Sequence, residues 1–365
     1  MRNQEPDLDH SALGVLDDPR TVERLDPHGL LGRIESLPEQ CAEAWQHAAE
    51  RTLPEGYARA RGLVVLGMGG SAIAGDITRV LAAANGRKPV AVVRGYDLPP
   101  FVDHTYAVAA CSHSGNTEEM LSAFEQTLAR GIPAIAVTTG GRLDELAEQR
   151  GIPVWRYEYA GEPRSALGQQ LMALLALAER LGALDAQSAA VDEALAVMRD
   201  LRERACFASP ARENPAKQLA ARLRGRLPVI VGAGVLTEAA HRWKTQLNEN
   251  SKSWAFHDEL PEADHNTVVG FPLPAAVATR VHVVFLRHPS LHERVRLRYE
   301  ATADALDEQG VSHERVDAGG SSSLAQALSA AFLGDLVSYY LGLLNDVSPA
   351  PVVALNKLKA RLAGS

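Results

Sequence analysis

The stretch that decides the fold runs from Leu63 to Asp76 and has the sequence LVVLGMGGSAIAGD. Its first four residues are apolar and predict a buried strand of a parallel sheet. Three glycines and Ser71 come next, before a helical stretch that begins at Ala72. Glycine lets the backbone approach a ligand closely, and the free N–H groups at a helix N-terminus favour an anion. The stretch therefore predicts a strand, a turn and a helix that together form a phosphate site.

This turn alone leaves two alternatives open. Glycine-rich turns after strands also occur simply because a helix packs tightly against a sheet. The turn is not a Walker loop, because no Gly-Lys-Ser/Thr follows it, and it does not meet the GxGxxG spacing of dinucleotide-binding folds. Only further motifs in the sequence can distinguish a phosphate site from simple packing of the helix against the sheet.

The composition of the chain indicates which classes of partner it is expected to bind and in which cellular compartment it is expected to lie. The chain has 365 residues, which suits two α/β domains, and its formal net charge of −8 argues against binding nucleic acid or an anionic membrane. Cys41, Cys111 and Cys206 are far apart and form no CxxC pair, which suits a reducing compartment. The N-terminus has no signal-peptide pattern, and nowhere do eighteen apolar residues run together. We expect a cytoplasmic protein with no nucleic-acid or membrane partner.

Strand and helix patterns alternate from residue 63 onward, which predicts parallel sheets covered by helices on both faces. The strand-like segments of the first half are Val64–Leu66, Val90–Val93, Tyr106–Cys111, Ala134–Thr138 and Val154–Tyr157. Those of the second half are Leu227–Val231, Val281–Leu286 and Ser312–Val316. The second block opens with LPVIVGAG at 227–234, which echoes LVVLGMGG at 63–70. This internal similarity predicts two related α/β domains.

The predicted domain boundaries follow these blocks. Residues 1–20 lack clear periodicity and are expected to form an N-terminal tail. Residues 21–200 are expected to form the N-terminal domain with its leading helices, and residues 201–365 the C-terminal domain with a C-terminal helix. The alanine- and leucine-rich stretch Leu167–Arg204 predicts two helices with a break near residues 182–184.

A second hydroxyl-rich turn, SHSGNTEE at 112–119, follows the predicted strand at 106–111. One serine before two glutamates would be explained by a helix N-cap, but three hydroxyls exceed what a cap requires. Both turns would lie at the C-terminal edge of one parallel sheet, where open α/β sheets bind ligands, so they can converge on a single phosphate. The candidate phosphate-binding residues are Gly70, Ser71, Ser112, Ser114 and Thr117.

GMGGSAIAGD followed by SHSGNTEE resembles the sugar isomerase (SIS) domain superfamily, and nearly everything after residue 21 resembles its bifunctional phosphoglucose/phosphomannose isomerase branch. The other matching motifs are LPEQ at 37–40, EPRSALG at 162–168, NENSK at 248–252, DHN at 264–266, VGF at 269–271, PV at 351–352 and LK at 358–359. The resemblance implies an α/β fold of two SIS-like (flavodoxin-like) doubly wound domains. It also implies a homodimer whose active site takes His265 from the neighbouring subunit.

The activity implied by the resemblance is a metal-independent, cofactor-free isomerisation of fructose 6-phosphate to glucose 6-phosphate, mannose 6-phosphate or both, through a cis-enediol. The resemblance implies that Glu249 moves the proton between the two carbons and that Arg164 faces them. It further implies that His265 and Lys359 open the sugar ring. These residue types suit the chemistry, because a carboxylate can act as base and then as acid, and a fixed guanidinium stabilises the charge of the enediolate.

Each catalytic candidate has a simpler explanation in the sequence alone. Glu249 could only form an ion pair with Lys244 or Lys252, as many exposed glutamates do. His265 lies in ordinary turn composition, and Lys359 could only complement the dipole of a C-terminal helix. Arg164 could be a surface residue or a helix cap.

Rival functions also remain open. A sugar-phosphate sensor without turnover, or an isomerase of another phosphosugar, would keep the same phosphate site. The family's tolerance of both epimers is associated with a threonine before Lys359, but Asn345–Val352 contains only Ser348. A zinc-dependent isomerase on a β-barrel does not fit, because the histidines form no ligand-spaced cluster and the α/β alternation is wrong. An amidotransferase-linked aminosugar synthase does not fit either, because no glutaminase-like segment with a leading cysteine is present.

Overall fold

The computed structural model describes residues 10–363 of the chain. Residues 1–9 of the expected tail lie outside the described residues, but residues 10–20 differ from the expectation. His10–Asp17 form helix α1, and Leu16 on this helix is fully buried. The helix is short and its sequence has no long apolar repeat, so contacts with the rest of the protein, more than local pattern, hold it.

Three helices lead into the first sheet. They are α2 Pro19–Leu25, α3 Leu30–Glu35 and α4 Leu37–Glu50. The apolar positions that recur at three- and four-residue steps, among them Ile34, Leu37 and Cys41, are buried as the pattern predicts. A short 3₁₀ helix at Tyr57–Arg59 then leads into the sheet.

Within residues 10–363, the first sheet consists of five parallel strands in the order β2-β1-β3-β4-β5. The strands are β1 Leu63–Leu66, β2 Val90–Val93, β3 Ala107–Ser112, β4 Ala134–Thr138 and β5 Val154–Arg156. Each predicted strand is confirmed to within one residue at either end. The connecting helices are α5 Gly69–Asn85, α6 Glu118–Ala129 and α7 Gly141–Gln149. All four residues of β1 are buried, because this strand lies inside the sheet with packed side chains on both faces.

Long helices join the two sheets. They are α8 Leu167–Arg180, α9 Ser188–Ala205 and α10 Pro215–Leu223. The predicted helix break near residues 182–184 is confirmed, because the chain leaves α8 after Arg180 and starts α9 at Ser188.

The second sheet, counted over the same described range, has four parallel strands in the order β7-β6-β8-β9. Its strands are β6 Leu227–Ala233, β7 Phe256–Leu260, β8 Val281–Arg287 and β9 Ser312–Asp317, and its helices are α11 Thr237–Asn250, α12 Ala275–Ala278 and α13 Glu293–Glu308. The sequence analysis did not predict β7, whose sequence FHDEL is mostly polar. This strand lies at the edge of the sheet and is partly exposed, so no apolar run marks it.

The helix α14, Ser323–Leu344, forms the centre of the second half. By length and composition it could cross a membrane, but 94% of its most apolar window is buried within the protein, as expected of a core helix. It packs against α9, α10 and α11. The last helix, α15 Val353–Ala363, is exposed instead, and Leu355 and Leu358 on it face solvent in the single chain.

The two sheets meet through equivalent helices. The helix α5 follows β1 in the first sheet, α11 follows β6 in the second, and the two helices pack on each other. Ligand atoms of Asp76, Glu238 and His241 lie within 4.8 Å of one another at this contact. Because Arg94 pairs with Asp76 and Arg79 pairs with Glu238, this cluster is an ion-pair contact between the two halves.

Gly334 on α14 packs directly against Trp243 of α11. A Cβ atom at this position would lie 2.3 Å from the indole Nε1 of the fully buried Trp243. We expect Gly334→Ala to lower the free energy of unfolding by about 1–3 kcal/mol, although alanine favours helix, because the packed core has no room for the methyl group.

The matched control for this substitution is Gly32→Ala. Gly32 also lies in a helix, but a Cβ atom there would meet nothing within 4 Å. This control is expected to leave stability unchanged or raise it by up to about 1 kcal/mol. Urea unfolding of the two variants and the wild type measures both changes, and a stable Gly334→Ala variant would contradict the packing described.

Candidate functional site

Ser71 lies in the first turn of α5, directly after β1. Its Oγ accepts a hydrogen bond from Nε2 of Gln170 over 3.0 Å. Because Gln170 is the donor in this bond, the hydroxyl proton of Ser71 remains free to donate to another oxygen. Met68, the N-cap residue of α5, makes no side-chain cap hydrogen bond within the described chain. The hydroxyl and the start of α5 are thus both available to an anion.

Gln170 and the residues behind it are functional candidates that the sequence analysis missed. Nε2 of Gln170 also donates to the Tyr157 hydroxyl at 2.8 Å, and that hydroxyl lies 3.2 Å from Nδ1 of His113. Burial raises the pKa of the Tyr157 phenol and lowers the pKa of the His113 imidazole. Both groups are therefore neutral near pH 7, and they hold Gln170 without adding charge. Only the tertiary fold brings these three residues together, so spacing along the chain gives no signal for them.

The hydroxyls of the second turn lie between the end of β3 and the start of α6. Ser112 Oγ accepts a hydrogen bond from the Gly115 N–H at 3.1 Å and lies 3.0 Å from Thr117 Oγ1. Ser114 Oγ is exposed and accepts from the Asn116 N–H. Thr117 is the N-cap residue of α6, yet within the described residues it makes no side-chain cap hydrogen bond. The N-cap alternative therefore does not account for Thr117.

The two turns lie side by side because β1 and β3 are neighbours in the sheet. A Cβ atom at Gly67 would lie 3.3 Å from the Cys111 carbonyl oxygen, so the chain leaving β1 passes closely over the end of β3. The site has the location expected for a ligand of a parallel sheet, at its C-terminal edge.

Gly70 joins the phosphate site to the candidate reaction centre. A Cβ atom at Gly70 would lie 3.1 Å from both Cα of Arg164 and the Pro163 carbonyl oxygen. Any side chain here would push away the short 3₁₀ helix Pro163–Ser165. Gly70 is thus needed for close packing, and that packing places Arg164 beside the turn that carries Ser71.

The guanidinium of Arg164 is buried, and two of its three nitrogens are held by hydrogen bonds. Nε donates to Oδ1 of Asn250 at 2.7 Å, and Nη2 donates to the carbonyl oxygens of Pro349 at 3.0 Å and Ala350 at 2.8 Å. Nη1 makes no hydrogen bond among residues 10–363 and lies 3.6 Å from Oε2 of Glu249. Burial lowers the pKa of the Arg164 guanidinium, and the charge of Glu249 opposes this shift. One donor of a fixed cation therefore faces the candidate base.

A second buried arginine supports this arrangement from behind. Arg242 on α11 forms two hydrogen bonds with the carboxylate of Asp335, at 3.0 Å and 2.7 Å. Its Nη2 also donates to the main-chain carbonyl oxygen of Arg164 at 3.0 Å. The backbone and the side chain of Arg164 are therefore both held from the second half of the protein.

Glu249 lies in the last turn of α11, and its side chain is 32% exposed. The sequence allowed a simple pair with Lys244 or Lys252, but the structure shows a different arrangement. Lys252 Nζ donates to the main-chain carbonyl oxygen of Glu249, and the carboxylate faces Arg164. The carboxylate thus remains partly open to a ligand.

His265 and Lys359 lie apart from these contacts. His265 ends the short 3₁₀ helix Glu262–His265 and is exposed, and Lys359 lies on the exposed helix α15. In the part of the chain that the structure describes, no hydrogen bond or ion pair joins either residue to Arg164 or Glu249. A single chain thus brings together the two hydroxyl-bearing turns, Arg164 and Glu249. The two candidates for ring opening, His265 and Lys359, lie outside this group.

Large apolar side chains are exposed in the segments that carry these two residues. Trp254 is 71% exposed, Val269 79% and Leu273 76%, all within about twelve residues of His265. Leu355 and Leu358, which are also exposed, precede Lys359 on α15. Exposed apolar residues that group into one patch are typical of interaction surfaces.

Comparison with known proteins gives consistent relatives. The family model described as "Bacterial phospho-glucose isomerase C-terminal SIS domain" matches residues 212–362. A curated bifunctional phosphoglucose/phosphomannose isomerase from Caldicellulosiruptor bescii is 37% identical over 331 residues, which is 90% of this chain and 98% of that protein. The protein of the same name from Aquifex aeolicus is 35% identical and covers 87% of this chain and 94% of its own length.

Among solved structures, a hypothetical protein from Thermus thermophilus has a TM-score of 0.71 at 18% sequence identity. The match covers 97% of this chain and 95% of that chain. At this identity the likeness shows a shared fold, and the two parallel sheets flanked by helices confirm the predicted α/β architecture.

Proposed function

Because the chain belongs to the family of bifunctional phosphoglucose/phosphomannose isomerases, we propose that it interconverts fructose 6-phosphate with glucose 6-phosphate, mannose 6-phosphate or both. The observation that carries the proposal is the free Nη1 of Arg164, 3.6 Å from the Glu249 carboxylate and next to the turn that carries Ser71. A phosphate site, a base and a fixed cation in contact are what an aldose–ketose isomerase requires.

The phosphate group of the substrate would be held by the two turns at the end of the first sheet. The proposed ligands are the hydroxyls of Ser71, Ser112, Ser114 and Thr117 and the backbone at Gly70. Free N–H groups at the starts of α5 and α6 add a favourable dipole for an anion, so a chain with net negative charge can bind phosphate locally.

Glu249 would take the proton from C2 of the open-chain aldose and return it at C1, and in the reverse direction it would take the proton from C1 of open-chain fructose 6-phosphate and return it at C2. Its partial exposure lets a substrate reach the carboxylate, and its contact with Arg164 orients it. As the proton leaves, charge develops on the sugar oxygens, and Nη1 of Arg164 is preorganised to donate to them. Both steps use side chains alone, so the proposed mechanism requires no metal ion and no cofactor.

Ring opening would be the task of His265 and Lys359, because an imidazole or an ammonium can protonate the ring oxygen. In the single chain both lie on exposed segments rich in uncovered apolar side chains. We therefore propose a homodimer in which the partner covers these segments and His265 enters the site of the neighbouring subunit. In a two-fold symmetric dimer, each contact across the interface occurs twice, so two such sites would form.

The choice between the glucose and mannose epimers is assigned to the segment before α15. Its single hydroxyl, Ser348 Oγ, is buried and has no hydrogen-bond partner among residues 10–363. The next residue, Pro349, is the one whose carbonyl oxygen Arg164 binds, so Ser348 lies one residue from a group that holds the reaction centre. An unsatisfied hydroxyl at that place can accept or donate to a sugar hydroxyl.

The proposed compartment is the cytoplasm, in keeping with three free cysteines, of which Cys41 and Cys111 are buried. We also propose two domains, residues 21–200 and residues 201–365. Helix α9 runs through this division and packs against both α4 of the first half and α14 of the second, so it joins the two domains.

Glu249→Gln tests the assignment of the base. The amide keeps the shape but cannot accept the proton, so kcat for fructose 6-phosphate should fall by about a hundredfold or more, the scale of a positioned acid–base group. Binding of the sugar phosphate, measured by calorimetry, should change little.

Ser114→Ala is the control for this substitution. It removes one phosphate contact and should raise KM more than it lowers kcat. Near-normal turnover in Glu249→Gln would contradict the proposed base and favour a sugar-phosphate sensor or a different catalytic group.

Mixing two inactive variants tests the shared site. In a heterodimer of Glu249→Gln with His265→Ala, one of the two sites would contain both native residues. Unfolding and refolding an equal mixture should therefore restore up to about a quarter of wild-type activity, since half of the dimers are mixed and each has one intact site. The separate variants, refolded alone, are the controls, and a mixture with no gain over them would contradict a site that spans two subunits.

A further inference from the structure

Lys252 has a backbone conformation that requires an explanation. Its φ angle is 55°, in the left-handed region that residues with a side chain seldom adopt. The residue lies two positions after the end of α11, where glycine is the usual choice for this conformation. A strained residue of this kind persists where its surroundings fix it, and such residues concentrate at functional sites.

The contacts of the side chain show what this conformation achieves. Lys252 Nζ donates to the main-chain carbonyl oxygen of Glu249 and, at 3.0 Å, to that of Pro349. Arg164 Nη2 donates to the same Pro349 oxygen, also at 3.0 Å. Two cations thus share one carbonyl oxygen, next to the carboxylate of Glu249.

We propose that Lys252 is a positioning residue of the isomerase site, which fixes the Pro349 backbone that holds Arg164 and adds a second positive charge behind the reacting oxygens. The inference rests on the proposed function. When Glu249 is ionised, the charges of Arg164, Lys252 and Glu249 sum to one positive charge. When Glu249 has taken the proton, both positive charges act on the enediolate. Lys252 acts through Arg164, Glu249 and the Pro349 carbonyl, and it makes no assigned contact with the substrate.

The protonation state of Lys252 gives this role a distinctive pH dependence. Burial lowers the pKa of Lys252 to about 8, the charge of Arg164 contributes in the same direction, and Glu249 opposes it. These are the charged groups that face it, from the 3₁₀ helix at Pro163–Ser165 and from α11. The Arg242–Asp335 pair lies behind Arg164. Because the pKa is lowered, the charge is present below about pH 8 and is lost as the pH rises through that value.

The test compares Lys252→Met and Lys252→Arg with the control Lys244→Met. Lys244 lies on α11, and its charge acts on His257. Turnover of fructose 6-phosphate is measured in samples quenched at set times, at pH values between about 6 and 10, after circular dichroism has verified that each variant is folded.

Wild type and Lys244→Met should lose kcat above about pH 8. Lys252→Met should have a kcat at least about tenfold lower at pH 7, little change in KM and no fall of kcat near pH 8. Lys252→Arg should recover most of the kcat and stay active at higher pH, because a guanidinium keeps its proton.

Two results would overturn the inference while leaving the proposed function intact. One is a Lys252→Met variant with the kcat and the pH profile of the wild type. The other is a folded Lys252→Arg variant as inactive as Lys252→Met, since that would show that charge is not what the site needs. A wild-type protein without turnover of fructose 6-phosphate is a separate result, which contradicts the proposed function and this inference with it.

Discussion

The buried guanidinium of Arg164 is the constraint on which the rest of the site depends. Its hydrogen bonds reach the side chain of Asn250 at the end of α11 and the backbone at Pro349 and Ala350. Removing one partner of a buried charge commonly costs about 3–5 kcal/mol, because the other is left uncompensated. The short 3₁₀ helix, the end of α11 and the segment before α15 therefore have to form together for this cation to be buried.

This coupling explains how two sheets produce one site. The first sheet supplies the hydroxyl-bearing turns, and Gly70 permits the close contact between the first of these turns and Arg164. The second half supplies Glu249 and the carbonyl oxygens that hold the guanidinium. The pairing of α5 with α11 sets these parts at a fixed distance. The residues proposed for phosphate binding and for proton transfer thus come from different halves and meet at this interface.

Much of this arrangement could be predicted from the sequence, and the exceptions have physical reasons. The strands β1, β3 and β4 were predictable because all of their residues are buried inside the sheet, which favours unbroken apolar runs. The strand β7 was not predictable from the sequence, because an edge strand with exposed positions tolerates polar residues. Helix α1 was not predicted either, because long-range contacts hold it.

The residues of the candidate site were likewise predictable only where the local sequence determines their position. Ser71, Ser112 and Thr117 follow directly after predicted strands, so topology alone placed them at one edge of the sheet. Gln170 and Lys252 make hydrogen bonds to residues far away in the chain, and spacing in the sequence does not predict those contacts. The position of Arg164 relative to Glu249 also depends on the packing of the two halves, which spacing in the sequence does not encode.

The most direct test of the central claim is an assay of the purified, chelator-treated wild-type protein with fructose 6-phosphate, in which glucose 6-phosphate and mannose 6-phosphate are measured separately. The account predicts that at least one of the two products forms at an undiminished rate without metal. The ratio of the products then reports which epimer the segment around Ser348 admits. Binding of fructose 6-phosphate by calorimetry with neither product formed would contradict the account and identify the protein as a sugar-phosphate binder without this activity.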